Sequence, residues 1–290
     1  MTKKQKVRKS KIKKYWETRL PQTWYSDKKL GSREWYNEIE YKRYNVYYEF
    51  FPKVAEFEYH SGERVLEVGV GVGTDLVQYA KNGARVSGID LTKEAIKTTK
   101  KNFKLRGLEY DVLKTDDAEK LSFKDNSFDL VCSYGVLHHT PNTDKAIKEV
   151  YRVLKPKGKA IVLLYARGWK HYFKRIFVQG VLLGKLFKQG YNNLINNQTE
   201  VHGGSPLTYV YKKKEIKKMF EMFGEVEIGR HRLGNYIDYA PYGTKKVPNF
   251  VKNTLYLLGL EKIFGESYII KAEKREKKQR PSFLSTLLKP

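Results

Sequence analysis

The sequence predicts an α/β fold in which a parallel sheet carries helices on both faces. Three observations lead there. Short apolar runs rich in β-branched residues alternate with stretches of helical periodicity between residues 61 and 165. A glycine-rich turn, "GVGVGT", directly follows the first of those runs. A content of 40% hydrophobic and 14% aromatic residues marks a packed globule rather than a disordered chain, and 290 residues suffice for one buried sheet with additions.

The elements follow in order. "MTKKQKVRKSKIKK" reads as a disordered basic arm. Aromatics at helical spacing (Trp35, Tyr36, Tyr44, Tyr47, Tyr48 and Phe51) predict one or two helices within 33–58, ending near Pro52. Strand 64–69, helix 74–82, strand 84–90, helix 93–106, strand 110–116, strand 128–135, helix 143–154 and strand 158–165 come next. A long insertion, 166–210, interrupts the pattern. Helix 212–223, strand 225–232, helix 248–264 and strand 267–272 close it, and the tail from 273 is basic. The resulting division is an extension (1–60), a core (61–165), an inserted segment (166–211), a C-terminal part of the fold (212–273) and a tail (274–290).

Charge is unevenly spread over these parts. The formal charge is +25, but residues 61–150 balance fourteen basic against fourteen acidic side chains. Residues 1–60 carry fifteen against eight, and residues 151–290 carry twenty-eight against ten. The excess therefore lies outside the glycine-rich part, where it suits either solvated helix faces or an anionic partner. Cys132 is the only cysteine, which excludes an intrachain disulfide and a cysteine-cluster zinc site and fits a reducing cytoplasm. No secretory signal and no run of about 18 apolar residues is visible. The expected location is cytoplasmic, with peripheral attachment to the inner membrane as the variant.

The glycine turn is the most informative stretch. In an open α/β sheet, ligands bind beyond the carboxyl ends of the strands, where glycines let backbone approach them closely. A dinucleotide loop needs Gly-x-Gly-x-x-Gly, but Gly69, Gly71 and Gly73 are followed by Thr74 where that third glycine would stand. A phosphate-binding Walker loop would end in Gly-Lys-Ser/Thr, which is absent.

"LEVGVGVG" instead resembles the first motif of class I S-adenosylmethionine-dependent methyltransferases, of the methyltransferase-11-like kind. Four further motifs follow in register: "VSGID", "DAEKLSF", "SFDLVCSYGVLHHTPN" and "VYRVLKPKGKAIV". The resemblance is close over about 61–165, and the whole chain is similar to a bacterial group with a segment inserted after the fifth strand. It implies a Rossmann-like sheet of seven mostly parallel strands with an antiparallel last strand, and S-adenosyl-L-methionine as cofactor. It also implies that Glu67, Gly69, Gly71, Gly73, Asp90, Leu91, Asp117, Ala118 and Ser133 hold that cofactor. Asp90 would accept both ribose hydroxyls, Asp117 would face the adenine amine with Asp116 as the alternative, and Ala118 would offer its N–H. The residue types agree, because a sulfonium with an amino acid end and no phosphate calls for carboxylates rather than an arginine clamp.

Methyl transfer is an in-line displacement that needs a base only where the acceptor must lose a proton. Tyr134, His138 and His139 are the candidates just past the fourth strand, with His138 and Tyr134 placed first, although two adjacent histidines cannot both face the pocket in the same way and a packing or loop-shaping role is preferred for His138 over that of a base. The Asn/Asp-Pro-Pro-aromatic motif of exocyclic-amine methylases is replaced by "SYGV". Cys132 lies within a strand, where it suits the core and not a nucleophile. The expected acceptor is an O, N or C centre of a small or lipid-like molecule. The alternative is tRNA, or a basic RNA-binding protein with a cofactor site. In the insertion, "WKHYFKRIFVQGVLLGKLFK" reads as a basic amphipathic helix. A lid over the pocket or a self-contact is preferred for it over an anionic membrane surface, and that over nucleic acid. The loop 202–211, with Tyr44 and Tyr47, is expected to help close the pocket.

Overall fold

The computed structural model describes residues 3–168, 171–199, 205–231, 236–239, 243–246 and 265–276. Five parallel strands, β1 (Arg64–Val68), β2 (Arg85–Asp90), β3 (Val112–Thr115), β4 (Phe128–Tyr134) and β5 (Leu154–Tyr165), form most of the sheet. β6 (Val226–His231) and β9 (Ser267–Glu273) complete it, and β7 (Tyr236–Tyr239) and β8 (Gly243–Lys246) pair as a separate hairpin that the sequence pattern did not announce. The order is β3-β2-β1-β4-β5-β9-β6. β9 runs antiparallel between β5 and β6, so the chain's last sheet strand is the single reversed one. The sheet is thus the seven-stranded, mostly parallel, Rossmann-like one expected.

Local chemistry sets the helices. In α5 (Lys93–Arg106) the Thr92 side chain accepts from Ala95 N, Glu94 sits in the positive first turn, and Gly107 ends the helix in the left-handed region. In α6 (Thr143–Val153) Asn142 caps by accepting from Lys145 N at 2.9 Å. In α2 (Arg33–Lys42) Ser32 accepts from Trp35 N at 3.1 Å. α4 (Thr74–Lys81) follows the glycine turn, and the short α8 (Lys213–Met219) precedes β6. Both sheet faces are buried. One packs Leu66, Val131 and Val162 beneath Ile147, Val150 and Phe220; the other packs Val65, Leu130 and Ile161 beneath Leu76, Phe103 and Phe51. Cys132 is buried in this second layer.

Three expectations need correction. The basic arm is not disordered: α1 (Lys3–Thr18) is helical, because Ile12 and Leu20 find apolar cover and Glu17 accepts from Lys93 N and Glu94 N, both at 3.1 Å. Pro52 does not end a helix but opens the short α3 (Phe51–Ala55), as suits a residue without a backbone donor. A π-helical turn at Arg43–Tyr47 separates it from α2. The inserted segment is not one amphipathic α-helix. It is π-helical over His171–Leu182, then forms α7 (Lys185–Thr199), kinked at Gly190. The predicted helix 248–264 and the tail from 277 onward lie outside the described residues.

The extension is clamped to the core by a buried ion pair. Arg43 donates to both carboxylate oxygens of Asp75 in α4, through Nε at 2.7 Å and through Nη2, and Tyr44 Oη donates to Asp75 Oδ1 at 2.7 Å. Arg43 also stacks over Phe51 and Tyr48. Arg43→Ala strands a buried carboxylate, and urea unfolding should show a loss of about 3–5 kcal/mol. Lys42→Ala, one residue away on an exposed i,i+4 pair, should stay within ~0.5 kcal/mol.

Candidate active site

The strand order reverses between β1 and β4, and there a cavity of about 150 Å³ opens at the carboxyl ends of the strands. Its wall is built from successive strand ends. Glu67 comes from β1, Asp90 and Leu91 from β2, Asp116 to Ala118 from beyond β3, and Tyr134 with Gly135 from β4. Gly69 and Gly71 form its floor, and Val136, His139 and Thr140 close one side. Glycine is required at the floor. Gly69 has φ +87°, and a Cβ there would collide with the Val136 side chain.

Each carboxylate is held differently. Asp90 Oδ1 accepts from Thr92 N (2.9 Å) and Thr92 Oγ1 (2.8 Å), while Oδ2 accepts from Gly71 N at 3.2 Å, so this side chain ties β2 to the glycine turn. Burial pushes its pKa up against those hydrogen bonds. Asp117 Oδ1 accepts from Glu119 N, and its Oδ2 takes Lys9 Nζ of α1 at 2.6 Å; Lys9 also reaches Glu119 at 2.9 Å. Asp116 is occupied with its own turn, accepting from Ser122 N and Oγ and from Asp117 N. Glu67 is 2% exposed, and its Oε2 has no hydrogen-bond partner among the described residues. Burial, reinforced by the charge of Asp75, holds its carboxyl well above the ordinary range.

Eight of the expected site residues line this cavity: Glu67, Gly69, Gly71, Asp90, Leu91, Asp117, Ala118 and Tyr134. Three do not. Gly73, at φ +80°, starts α4 against the Thr99 side chain, and a Cβ there would lie 2.8 Å from Thr99 Cγ2. Ser133 is fully buried and donates to Val68 O at 2.8 Å, joining β4 to β1. His138 is fully buried behind the wall, its ring packed at a tilt against Tyr165 at 3.9 Å and His139 at 4.3 Å, with neither ring nitrogen bonded among the described residues. Burial and the neighbouring His139 push its pKa well below the usual histidine value, so it is neutral. As the first candidate for a base, His138 therefore gives way to His139, which lines the cavity. Its Nδ1 lies 2.7 Å from Leu207 O. A carbonyl only accepts, so Nδ1 carries the hydrogen and the neutral ring has Nε2 as its basic nitrogen. Tyr134 reaches the cavity, but its Oη is paired with Tyr79 Oη at 2.6 Å, and burial pushes its pKa well up.

The cover is also not the one expected. No described residue of 166–211 lines the cavity. Lys9, Ile12 and Trp16 of α1 do, with Pro21 and Gln22 after it, and Trp16 packs on His139 at 5.2 Å. α1 was missed because its sequence shows a run of lysines and little helical apolar periodicity; the signal available was Ile12 and Trp16, one turn apart. Loop 205–211 braces the histidines from behind, through Leu207 O and through Tyr209 N donating to His138 O at 2.9 Å. Tyr44 and Tyr47 stay out of the cavity. Tyr44 serves Asp75, and Tyr47 stacks on Tyr25 at 4.3 Å.

Residues 66–162 match the family model described as a methyltransferase domain. Over 155 residues the chain is 30% identical to phosphoethanolamine N-methyltransferase 2 of Caenorhabditis elegans, covering 52% of this chain and 35% of that protein. Over 132 residues it is 33% identical to phosphatidylethanolamine N-methyltransferase of Cereibacter sphaeroides, covering 42% of this chain and 64% of that one. The chain thus spans between about a third and two thirds of the length of these curated relatives. Its fold matches that of the Haemonchus contortus phosphoethanolamine N-methyltransferase 2, solved in complex with phosphomonomethylethanolamine and S-adenosylhomocysteine. The TM-score is 0.51 at 18% identity, over 79% of this chain and 53% of that one.

Two consequences are measurable. The raised pKa means that folded Glu67 keeps its proton to higher pH than the unfolded chain does. Its contribution to stability is therefore present at low pH and falls as pH rises through the ordinary carboxylate range toward the raised value. Glu67→Gln should raise the melting temperature at neutral pH and, in calorimetry across buffers of different ionisation enthalpy, remove a proton release that accompanies S-adenosylmethionine binding to the parent. The parent's affinity should rise with pH. For Lys9→Ala, loss of the tie between α1 and the Asp117 loop should speed release of S-adenosylhomocysteine about tenfold in stopped-flow displacement, since one charge-assisted contact is worth roughly 1.5–3 kcal/mol.

Proposed function

We propose, from the match of residues 66–162 to the methyltransferase domain and the cavity at the strand ends, that this chain is a class I S-adenosylmethionine-dependent methyltransferase that transfers a methyl group to an O, N or C centre of a small or lipid-like molecule. The observation that carries the reading is the cavity at the β1/β4 reversal, with Glu67, Asp90 and Asp117 at three strand ends and a buried Glu67 oxygen that has no hydrogen-bond partner among the described residues. These groups fit the cofactor's chemistry. Glu67 would take the ammonium of its amino acid end, Asp90 the ribose hydroxyls and Asp117 the adenine amine. Ala118 would add its N–H, Leu91 an apolar wall, and Gly69 and Gly71 close backbone approach. Gly73 and Ser133 would act at one remove, by placing α4 and the end of β4. When bound, the cofactor supplies an electrophilic methyl on a sulfonium. The chain's own part is to align the acceptor, exclude water and, where the acceptor carries a proton, remove it.

His139 is our candidate for that proton. Its ring is oriented by Leu207 O and covered by Trp16, an arrangement in which a general base is held by a second group. A lipid-like acceptor is supported by the apolar cover that Ile12, Trp16 and Val136 give the cavity, and by the acceptor classes that the names of the relatives state.

The test is transfer of labelled methyl from S-adenosylmethionine into lysate, with lipids, RNA, protein and small molecules counted separately. Label should enter the lipid or small-molecule fraction. His139→Ala should cut the rate by about 10²–10⁴ with cofactor affinity unchanged, whereas His138→Phe should stay within a few-fold. Label confined to RNA would replace the acceptor class, and a folded protein with no affinity for the cofactor would end the reading.

A further inference from the structure

The inserted segment leaves β5 at the sheet edge where the cavity opens and returns beside it at loop 205–211. It turns little of itself inward: Gln179, Leu194 and Ile195 are buried. Its outer side is apolar. Of the twelve large hydrophobic side chains exposed among the described residues, seven fall between 172 and 191, and the other five are scattered. Phe177, Val181, Leu182, Leu183, Phe187 and Tyr191 lie on this stretch, with Phe187 79% and Leu182 63% exposed. Such clustering marks a contact surface. The charge around it is one-sided, since residues 166–199 contain six lysines and arginines and no aspartate or glutamate. Lys188 is exposed within the apolar stretch.

We propose that residues 171–191 dock on an anionic phospholipid bilayer, lying in its surface. Exposed apolar side chains on a helical segment whose charged residues are all basic match the boundary between acyl chains and anionic headgroups. A second copy of the chain would bring together two faces whose charged residues are all basic. Single-stranded nucleic acid would leave Val181, Leu182 and Leu183 unused, since base stacking needs an aromatic face. No described helix is long and apolar enough to cross a membrane, so the contact is a surface one. The proposal stands on the segment alone and does not require the methyl-transfer reading.

The full chain is sedimented with vesicles of phosphatidylcholine, and with vesicles of phosphatidylcholine and phosphatidylglycerol. It should pellet with the second kind and be released by high salt, as screening of headgroup attraction requires. Leu182→Glu with Phe187→Glu should lower partitioning at least about tenfold, and Lys188→Glu should lower it less. Both variants should keep the parent's melting temperature and affinity for S-adenosylhomocysteine, which separates failure of docking from failure of the fold or of the cofactor site. Three results would overturn the proposal. One is a parent that ignores anionic vesicles at low salt. Another is a double variant that pellets as the parent does, which places the attraction on basic residues elsewhere. The third is a parent dimer, indifferent to vesicles, that the double variant splits.

Discussion

Carboxylates crowd one sheet edge, and the way each is neutralised organises the structure around them. Glu67, Asp75, Asp90 and Asp117 all line the cavity. Low dielectric makes an unpaired charge there expensive, so partners must be supplied from somewhere. Asp90 is met by the backbone it holds together, through Gly71 and Thr92. Asp75 and Asp117 are met from outside the core, by Arg43 and Lys9. The N-terminal extension is thereby part of the site rather than an appendage. Trp35, Tyr36 and Ile39 bury its aromatic face against Val72 and Ala95, at the glycine turn and the start of α5. Among the described residues Glu67 Oε2 has no hydrogen-bond partner.

Two accessory segments, both basic, behave in opposite ways because their apolar residues are distributed differently. α1 has few, but Ile12 and Trp16 stand one turn apart and drop onto the cavity while Lys11, Lys13 and Lys14 are exposed. The 171–191 stretch has many, spread beyond what one inward face could bury, and most stay exposed. Amount of apolar surface thus did not decide which segment covers the site. Spacing and a matching surface did. The two adjacent histidines divide in the same manner. Successive residues in the 3₁₀ turn at Leu137–His139 point in different directions, so one ring enters the core against Tyr165 and the other faces the cavity, fixed by loop 205–211.

The core was legible because its signals are local. Alternation of strand and helix, the Thr92 and Asn142 caps, and the glycine turn each act within a few residues, and the parallel sheet follows from their order. The acids at the ends of β1, β2 and β3 could be picked out for the same reason, since a residue that ends a parallel strand must lie at the sheet's carboxyl edge. Glycine in that turn is likewise a local demand at Gly69, where positive φ and Val136 allow nothing larger.

The rest of the site depends on contacts between distant segments. α1 is held by the cover that Ile12 finds, by Glu17 at the start of α5 and by Lys9 on Asp117 and Glu119, more than a hundred residues away. That His139 rather than His138 faces the cavity rests on Leu207. The sheet, its glycine turn and its edge of carboxylates follow from the chain's linear pattern, through short-range hydrogen bonding and the period of its apolar residues. Which segments neutralise and cover that edge was settled by long-range charge pairing and shape, for which a linear pattern carries no distance.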